Sequence, residues 1–200
     1  MSQDFEKLRT KLSLDTWLVF GGSWGSTLAL HYAVNFPHAC RGLIIRGIFL
    51  NTKAEFDAIY ARKSFEGNPR RLKEFDTFFE LAAKEAESRG DAPLNPNDAE
   101  TFIRVYETLI LAGNREAIWR FYVFENNLME EDLTELLDPT CISEAAFPEA
   151  QSVAFFETRL FLKGTFEEPL DLLKDLGRLK NVPTWVVQVL SNNFLLFFLV

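Results

Sequence analysis

Apolar residues recur at helical spacing at the start of the chain. Phe5, Leu8 and Leu12 line one side of residues 3–13 and predict an amphipathic helix. The period then changes. Trp17-Leu18-Val19-Phe20 is a short, bulky, unbroken apolar run, the pattern of a buried strand. Residues 25–36 read as a helix that stops near Pro37, and residues 42–50 form a second apolar run. Helix, strand, helix, strand in this order predicts an α/β fold with a doubly wound, mostly parallel sheet. After Leu50 the strand signals cease. Residues 72–87 are rich in helix formers and are followed by Gly90, and Asp91-Ala92-Pro93-Leu94-Asn95-Pro96-Asn97 reads as a linker. Asn97 or Asp98 is placed to cap a helix that carries Phe102, Val105, Tyr106 and Leu109 on one face. Further helices are predicted from Asn114 through Trp119 to Asn126 and over 149–162. Residues 182–188 then return to strand character.

This order suggests a core over 1–51, a helical block over 52–180, a returning core strand over 181–188 and a divergent apolar tail over 189–200. A helical block that interrupts an α/β pattern, after which the chain rejoins the sheet, reads as a cap over an active-site edge. A separate helical domain is the alternative. Trp119, Phe121, Tyr122 and Phe124 form an aromatic cluster within the block, either helix core or the lining of a proline-sized pocket.

Composition narrows the function classes. The 200 residues carry a net charge of −8, which argues against a nucleic-acid or anionic-membrane partner. The two cysteines, Cys40 and Cys141, imply no disulfide framework and suit a reducing compartment. The charged N-terminal stretch has no secretory character, and the most apolar run, Phe194 to Val200, is far shorter than the ~20 residues of a spanning helix. A cytoplasmic location is therefore expected. No His, Cys or Glu cluster has metal spacing, there is no P-loop, and Gly21, Gly22 and Gly25 do not make a dinucleotide fingerprint. Neither metal nor cofactor is expected.

The candidate chemistry lies between the first strand and the helix that follows. Gly21-Gly22-Ser23-Trp24-Gly25 is a Gly-x-Ser-x-Gly run in a strand-turn-helix context, the setting of a nucleophile elbow. Glycine at 21 and 25 removes Cβ atoms where strand and helix crowd together. Ser23 is expected in a strained turn with its hydroxyl exposed. The backbone N–H of Trp24, at a helix N-terminus, is expected to face a developing oxyanion.

Residues 17–30, then Phe36-Pro37, then Leu43-Ile44-Ile45-Arg46-Gly47-Ile48-Phe49-Leu50 resemble the proline iminopeptidases, serine peptidases of the α/β-hydrolase fold. The likeness extends from about Asp4 to Gln188. It implies a partial α/β-hydrolase fold with a helical cap, and release of N-terminal proline from peptides through an acyl-enzyme. It implies Ser23 as nucleophile and the Trp24 N–H as one oxyanion donor. Glu125, in Phe124-Glu125-Asn126, and Glu157, in Phe155-Phe156-Glu157, match the family's two glutamates that hold the substrate's free amino terminus. A buried cationic nitrogen needs such carboxylates to offset its desolvation.

Two parts of the family pattern are not found. Residues 1–22 contain no His-Gly-Gly-Pro-Gly segment, which would supply the second oxyanion donor. Likeness stops at Gln188, where Asn192 takes the place of the triad aspartate, and no histidine follows. His31 lies eight residues beyond Ser23, about 12 Å along a helix, and His38 is farther still, so neither is expected to act as base. The chain alone is accordingly expected to be inactive, a truncated or pseudoenzyme form. An esterase or amidase of the same fold is the remaining alternative. Substrate length and oligomeric state are not legible.

Overall fold

A computed structural model describes residues 1–130, 136–163 and 172–188. In chain order the elements are α1 (Ser2–Lys11), β1 (Trp17–Ser23), α2 (Trp24–Asn35), β2 (Cys40–Ile48), α3 (Lys53–Tyr60), α4 (Pro69–Ser88), α5 (Ala99–Leu111), α6 (Arg115–Met129), α7 (Phe147–Lys163), α8 (Leu172–Asp175) and β3 (Thr184–Val187). Short 3-10 turns lie at Arg62–Phe65 and Leu176–Leu179. The chain divides into two compact units, residues 1–55 with 165–200 and residues 56–164.

The first unit is a parallel sheet with strand order β1-β2-β3 among the described residues. Helix α2 joins β1 to β2. It is buried on nearly every side, as a helix with so little polar surface must be. Ala29, Leu30, Ala33 and Val34 of α2 pack with Leu43 and Ile45 of β2 and with Leu172, Leu179 and Val182. Side chains alternate along the strands, so the opposite face carries Leu18 and Phe20, with Phe20 paired to Ile44 and Ile44 to Trp185. Phe20 is 67% exposed and Trp185 55%. The third strand is shorter than the apolar run over 182–188 predicts, because Pro183 gives its carbonyl to Leu43 N but has no N–H of its own.

Helix α1 forms as predicted but presents the other side to α2. Phe5, Leu8 and Leu12, expected as its packing face, are exposed. The contact with α2 is polar. Tyr32 donates its hydroxyl to Glu6 Oε2 at 2.8 Å, and the Trp17 indole N–H donates to the Tyr32 oxygen at 2.9 Å. Arg9 pairs with Glu6 at 2.6 Å. These charge-assisted bonds orient the helix, and periodicity reads only apolar positions. Arg9 holds the Glu6 carboxyl below its ordinary range, and burial pushes the Tyr32 hydroxyl up to about 12.

The second unit is helical throughout its described residues. Asn68 caps α4, accepting from Arg70 N and Arg71 N, and Pro69 occupies the first helical position, so the helix starts before the predicted Leu72. Asn114 caps α6 through Ala117 N. Asp98 sits at the N-cap of α5, yet its carboxylate takes the Thr101 hydroxyl at 2.7 Å and no backbone N–H. The core is aromatic. Phe78 stacks on Phe124 at 4.2 Å and 3°, and on Tyr106 at 4.4 Å and 21°. Trp119, Phe121, Tyr122 and Phe124 are all buried in this core, and Phe124 also lines a cavity with Phe78 and Leu137. The tail over 189–200, with Asn192, lies outside the described residues.

Phe78 touches aromatic rings from two other helices. Truncation by Phe78→Ala should therefore cost about 3–5 kcal/mol in chemical denaturation. A loss below about 1 kcal/mol would show that the stack does not hold this unit together.

Candidate active site

Ser23 is the last residue of β1 and the N-cap of α2, with φ +52° and ψ −129°. A side chain in this region costs about 1–3 kcal/mol, which the surroundings must supply. The serine is exposed, and Trp24 N is the first N–H of a 12-residue helix, a position with no intrahelical acceptor. The turn is possible because residue 21 has no side chain. A Cβ there would lie 2.1 Å from the Gly25 carbonyl oxygen and 2.8 Å from Ala29 Cβ. Gly25 differs from expectation. A Cβ on it meets nothing within 4 Å, because the crowding is of the Gly25 backbone against residue 21.

Three features that sequence reasoning missed brace this turn. The Ser26 hydroxyl donates to Ser23 O at 2.6 Å and accepts from Phe49 N at 2.9 Å. The Thr27 hydroxyl donates to Phe49 O at 2.5 Å. Both side chains are buried, so the start of α2 is tied to the chain leaving β2. Gly47, with φ +53°, is the extra residue of a β-bulge: Gly22 pairs with Arg46, but Ser23 pairs with Ile48. The Ile48 N–H beside the bulge donates to the Gln188 side chain at 2.9 Å. The sequence signal for the first brace is a Ser-Thr pair in the first turn after the elbow. The bulge has no signal beyond a glycine in a strand.

The two histidines are placed elsewhere. His31 is buried, with Nδ1 3.0 Å from Ser2 Oγ and 3.1 Å from Asn35 Nδ2. It links α1 to α2, well down the helix from the elbow. His38 is exposed in the turn before β2. The strands are parallel and Trp17 pairs with Cys40, so His38 lies near the start of β1 and Ser23 at its far end. That is about 20 Å for a strand of this length.

In the second unit, α6 and α7 bring Glu125 and Glu157 into electrostatic contact, two residues widely separated in sequence. A third residue joins them. The Tyr60 hydroxyl, on α3, donates to Glu125 Oε1. Tyr60 is fully buried, with its ring 4.9 Å from Phe56, 6.2 Å from Phe121 and Phe124 and 6.3 Å from Phe161. Glu157 Oε2 is shut off from solvent and has no hydrogen-bond partner among the described residues. Loss of hydration pushes Glu157 up to about 8, helped by repulsion from Glu125, and pushes Glu125 up to about 7 against the Tyr60 bond, which favours its ionised form. Burial pushes Tyr60 far above its ordinary value, so it remains a donor. No sequence motif marks Tyr60. Among the described residues no group of His, Cys, Asp and Glu is arranged to hold a metal ion, and no helix is long and apolar enough to cross a membrane.

A strand-elbow-helix joined to a parallel neighbour by a βαβ crossover is the central unit of the α/β hydrolases. The alpha/beta hydrolase fold family model matches residues 1–128, and the chain belongs to that family. Its relatives are more specific. It is 32% identical over 195 residues to a protein named probable proline iminopeptidase from Leptolyngbya boryana, covering 92% of this chain and 54% of that protein. It is 30% identical over 186 residues to the proline iminopeptidase of Neisseria gonorrhoeae, with the same shares. Over 57 residues, 28% of this chain and 15% of the relative, it is 58% identical to the proline iminopeptidase of Arabidopsis thaliana. The chain thus spans about half the length of the curated relatives it matches along most of its own length.

The two elbow glycines should respond oppositely to alanine. Gly21→Ala places a methyl group inside a backbone carbonyl and is expected to cost about 3 kcal/mol or more, or to abolish folding of the first unit. Gly25→Ala, helical and unobstructed, is expected to be neutral or to stabilise by up to about 1 kcal/mol. Thermal unfolding of the two variants checks this, and equal losses would be evidence against the asymmetry.

The raised carboxyl gives a second expectation. Glu157 binds its proton more tightly in the folded chain than in the unfolded one, so its contribution to stability falls as pH rises from the ordinary 4.5 through about 8. Glu157→Gln removes that loss. The variant's Tm should match or lie below the parent's at pH 5 and exceed it at pH 8.5. A Tm difference independent of pH would show that Glu157 does not titrate abnormally.

Proposed function

We propose that this chain carries the nucleophile and the amine-recognition residues of a serine peptidase that releases N-terminal proline from peptides. The observation that carries the reading is the left-handed backbone of Ser23 between a parallel strand and a helix. No non-glycine residue adopts it cheaply, and it leaves the hydroxyl exposed beside a helix N-terminus. The names of the relatives supply the substrate class.

In this reading Ser23 Oγ attacks the carbonyl of the N-terminal proline residue. The Trp24 N–H stabilises the oxyanion. The peptide's remaining amine leaves, and water hydrolyses the prolyl ester on Ser23. Glu125 and Glu157 receive the cationic amino terminus, a task for carboxylates in an apolar setting, and the helical block over 52–180 acts as the cap that restricts the enzyme to chain ends. A serine hydroxyl needs a base within about 3 Å, and His31 and His38 are committed elsewhere in the fold. The 200-residue chain by itself is therefore proposed to be inactive. Two free cysteines suit a cytoplasmic setting.

A panel of prolyl p-nitroanilide, alanyl p-nitroanilide and p-nitrophenyl acetate, given to the native gene product and to the 200-residue chain, tests this. The native product is expected to prefer the prolyl substrate, and Ser23→Ala to lower kcat by about 10⁴-fold or more. The 200-residue chain is expected to show no Ser23-dependent turnover. Preference for the ester would point to an esterase, and Ser23-dependent prolyl turnover by the chain alone would overturn its proposed inactivity.

A further inference from the structure

Glu125 and Glu157 are an unusual way to hold a cation. A pair of ionised carboxylates ready for an amine would be strongly repelled from each other in this apolar setting. The fold offers little relief. Tyr60 supplies one hydrogen bond, and it supplies it to Glu125 alone. Glu157 Oε2 has no donor among the described residues.

Several other charges on the packed helices have partners or neighbours of their own. On α4, Glu74 pairs with Arg71 and Glu80 with Lys84. Arg120, on α6, pairs with Glu116. On α5, Arg104 pairs with Glu100, and Glu107 is a further buried acid. On α7, Glu149 lies by the Tyr122 hydroxyl, and Arg159 lies over the Phe155 ring. The Tyr60 hydroxyl bonds to Glu125, and Glu125 in turn repels Glu157.

The geometry points to a proton as the placeholder for the cation: Glu157 carries it, Tyr60 keeps Glu125 an acceptor, and a cationic amine enters by expelling that proton to solvent. This inference rests on the proposed amine-recognition role of the pair. The exchange balances without any other reactant. The Glu157 O–H bond breaks, the proton leaves to water, and the carboxylate left behind accepts from the amine's N–H groups, so the charge inside the site is unchanged. Both states carry the same single negative charge, which Tyr60 solvates through Glu125, so admitting the amine adds no net charge to the site. Tyr60 is a positioning residue in this scheme, acting through Glu125. Both carboxyls lie far enough above their ordinary range for the proton to be present at neutral pH.

The consequence is that amine affinity depends on pH although the amine itself does not titrate. Pyrrolidinium, a saturated cyclic ammonium ion protonated throughout the range used, is the probe. Its Kd for the 200-residue chain would be measured by NMR titration between pH 5.5 and 8. Expected is a weakening that approaches about tenfold for each pH unit of acidification below pH 7, the limiting slope for one released proton per amine bound. Glu157→Gln, of nearly the same shape, should bind more weakly at pH 8 and lose the slope. Tyr60→Phe, a second variant that keeps the ring packing, should retain the slope and move its midpoint to higher pH, since Glu125 loses the bond that favours its ionised form. Binding with a pH-independent Kd would overturn the proton exchange and leave the pair as a simple anionic receptor. No binding at any pH, with the chain folded, would overturn the receptor reading together with the inference.

Discussion

One forbidden contact governs the first unit: residue 21 cannot carry a side chain while the Gly25 carbonyl stands where its Cβ would be. β1 and α2 approach that closely because the chain reverses between them in a single residue, Ser23, and the helix must pass back over the strand it has just left. Everything nearby accommodates this turn. Ser26 and Thr27 are small enough to be buried in the first helical turn, and their hydroxyls satisfy the Ser23 carbonyl and both backbone groups of Phe49. Gly47 takes up the mismatch on the neighbouring strand as a bulge, and Gln188 satisfies the N–H beside it. The backbone strain at Ser23 is thus held by hydrogen bonds and close packing of its neighbours.

The carboxylates of this chain show how far Glu125 and Glu157 depart from ordinary practice. Glu55 is buried, where Glu125 and Glu157 are half-buried, and it accepts from Leu50 N, Thr52 N and the Thr52 hydroxyl, a capping box at the start of α3. Glu6 has both Arg9 and Tyr32. These two are structural acids, fully satisfied by their surroundings. Among the described residues Glu125 accepts from Tyr60, whose ring lies among Phe56, Phe121, Phe124 and Phe161, and the Glu157 Oε2 atom has no donor. Incomplete satisfaction of a carboxyl withdrawn from water lowers stability.

Much of the architecture was legible in the sequence because it depends on local periods. The run of bulky residues at 17–20, the glycine-framed serine and the second apolar run at 42–50 sufficed for β1, the elbow, α2 and β2, and the helices of the second unit followed from helix formers and apolar spacing. The caps at Asn68 and Asn114 stand in the sequence as Asn-Pro and Asn-Arg-Glu. The orientation of α1 was not legible. Phe5, Leu8 and Leu12 have the right spacing for a buried face, and the helix turns on the Glu6-Tyr32-Trp17 bonds instead, whose partners come from β1 and α2.

The sequence by itself determined the fold family and the position of Ser23 at an elbow, because a strand-turn-helix with glycines in place is a local constraint that distant residues do not alter, whereas only the resemblance to the proline iminopeptidases singled out Glu125 and Glu157. Only the tertiary structure decided which glycine is indispensable, that Tyr60 holds Glu125, that Glu125 and Glu157 share one apolar setting, and that His31 serves the α1–α2 contact. Each of these depends on which atoms from separate elements occupy the same few ångströms, and hydrophobic period carries no information about that.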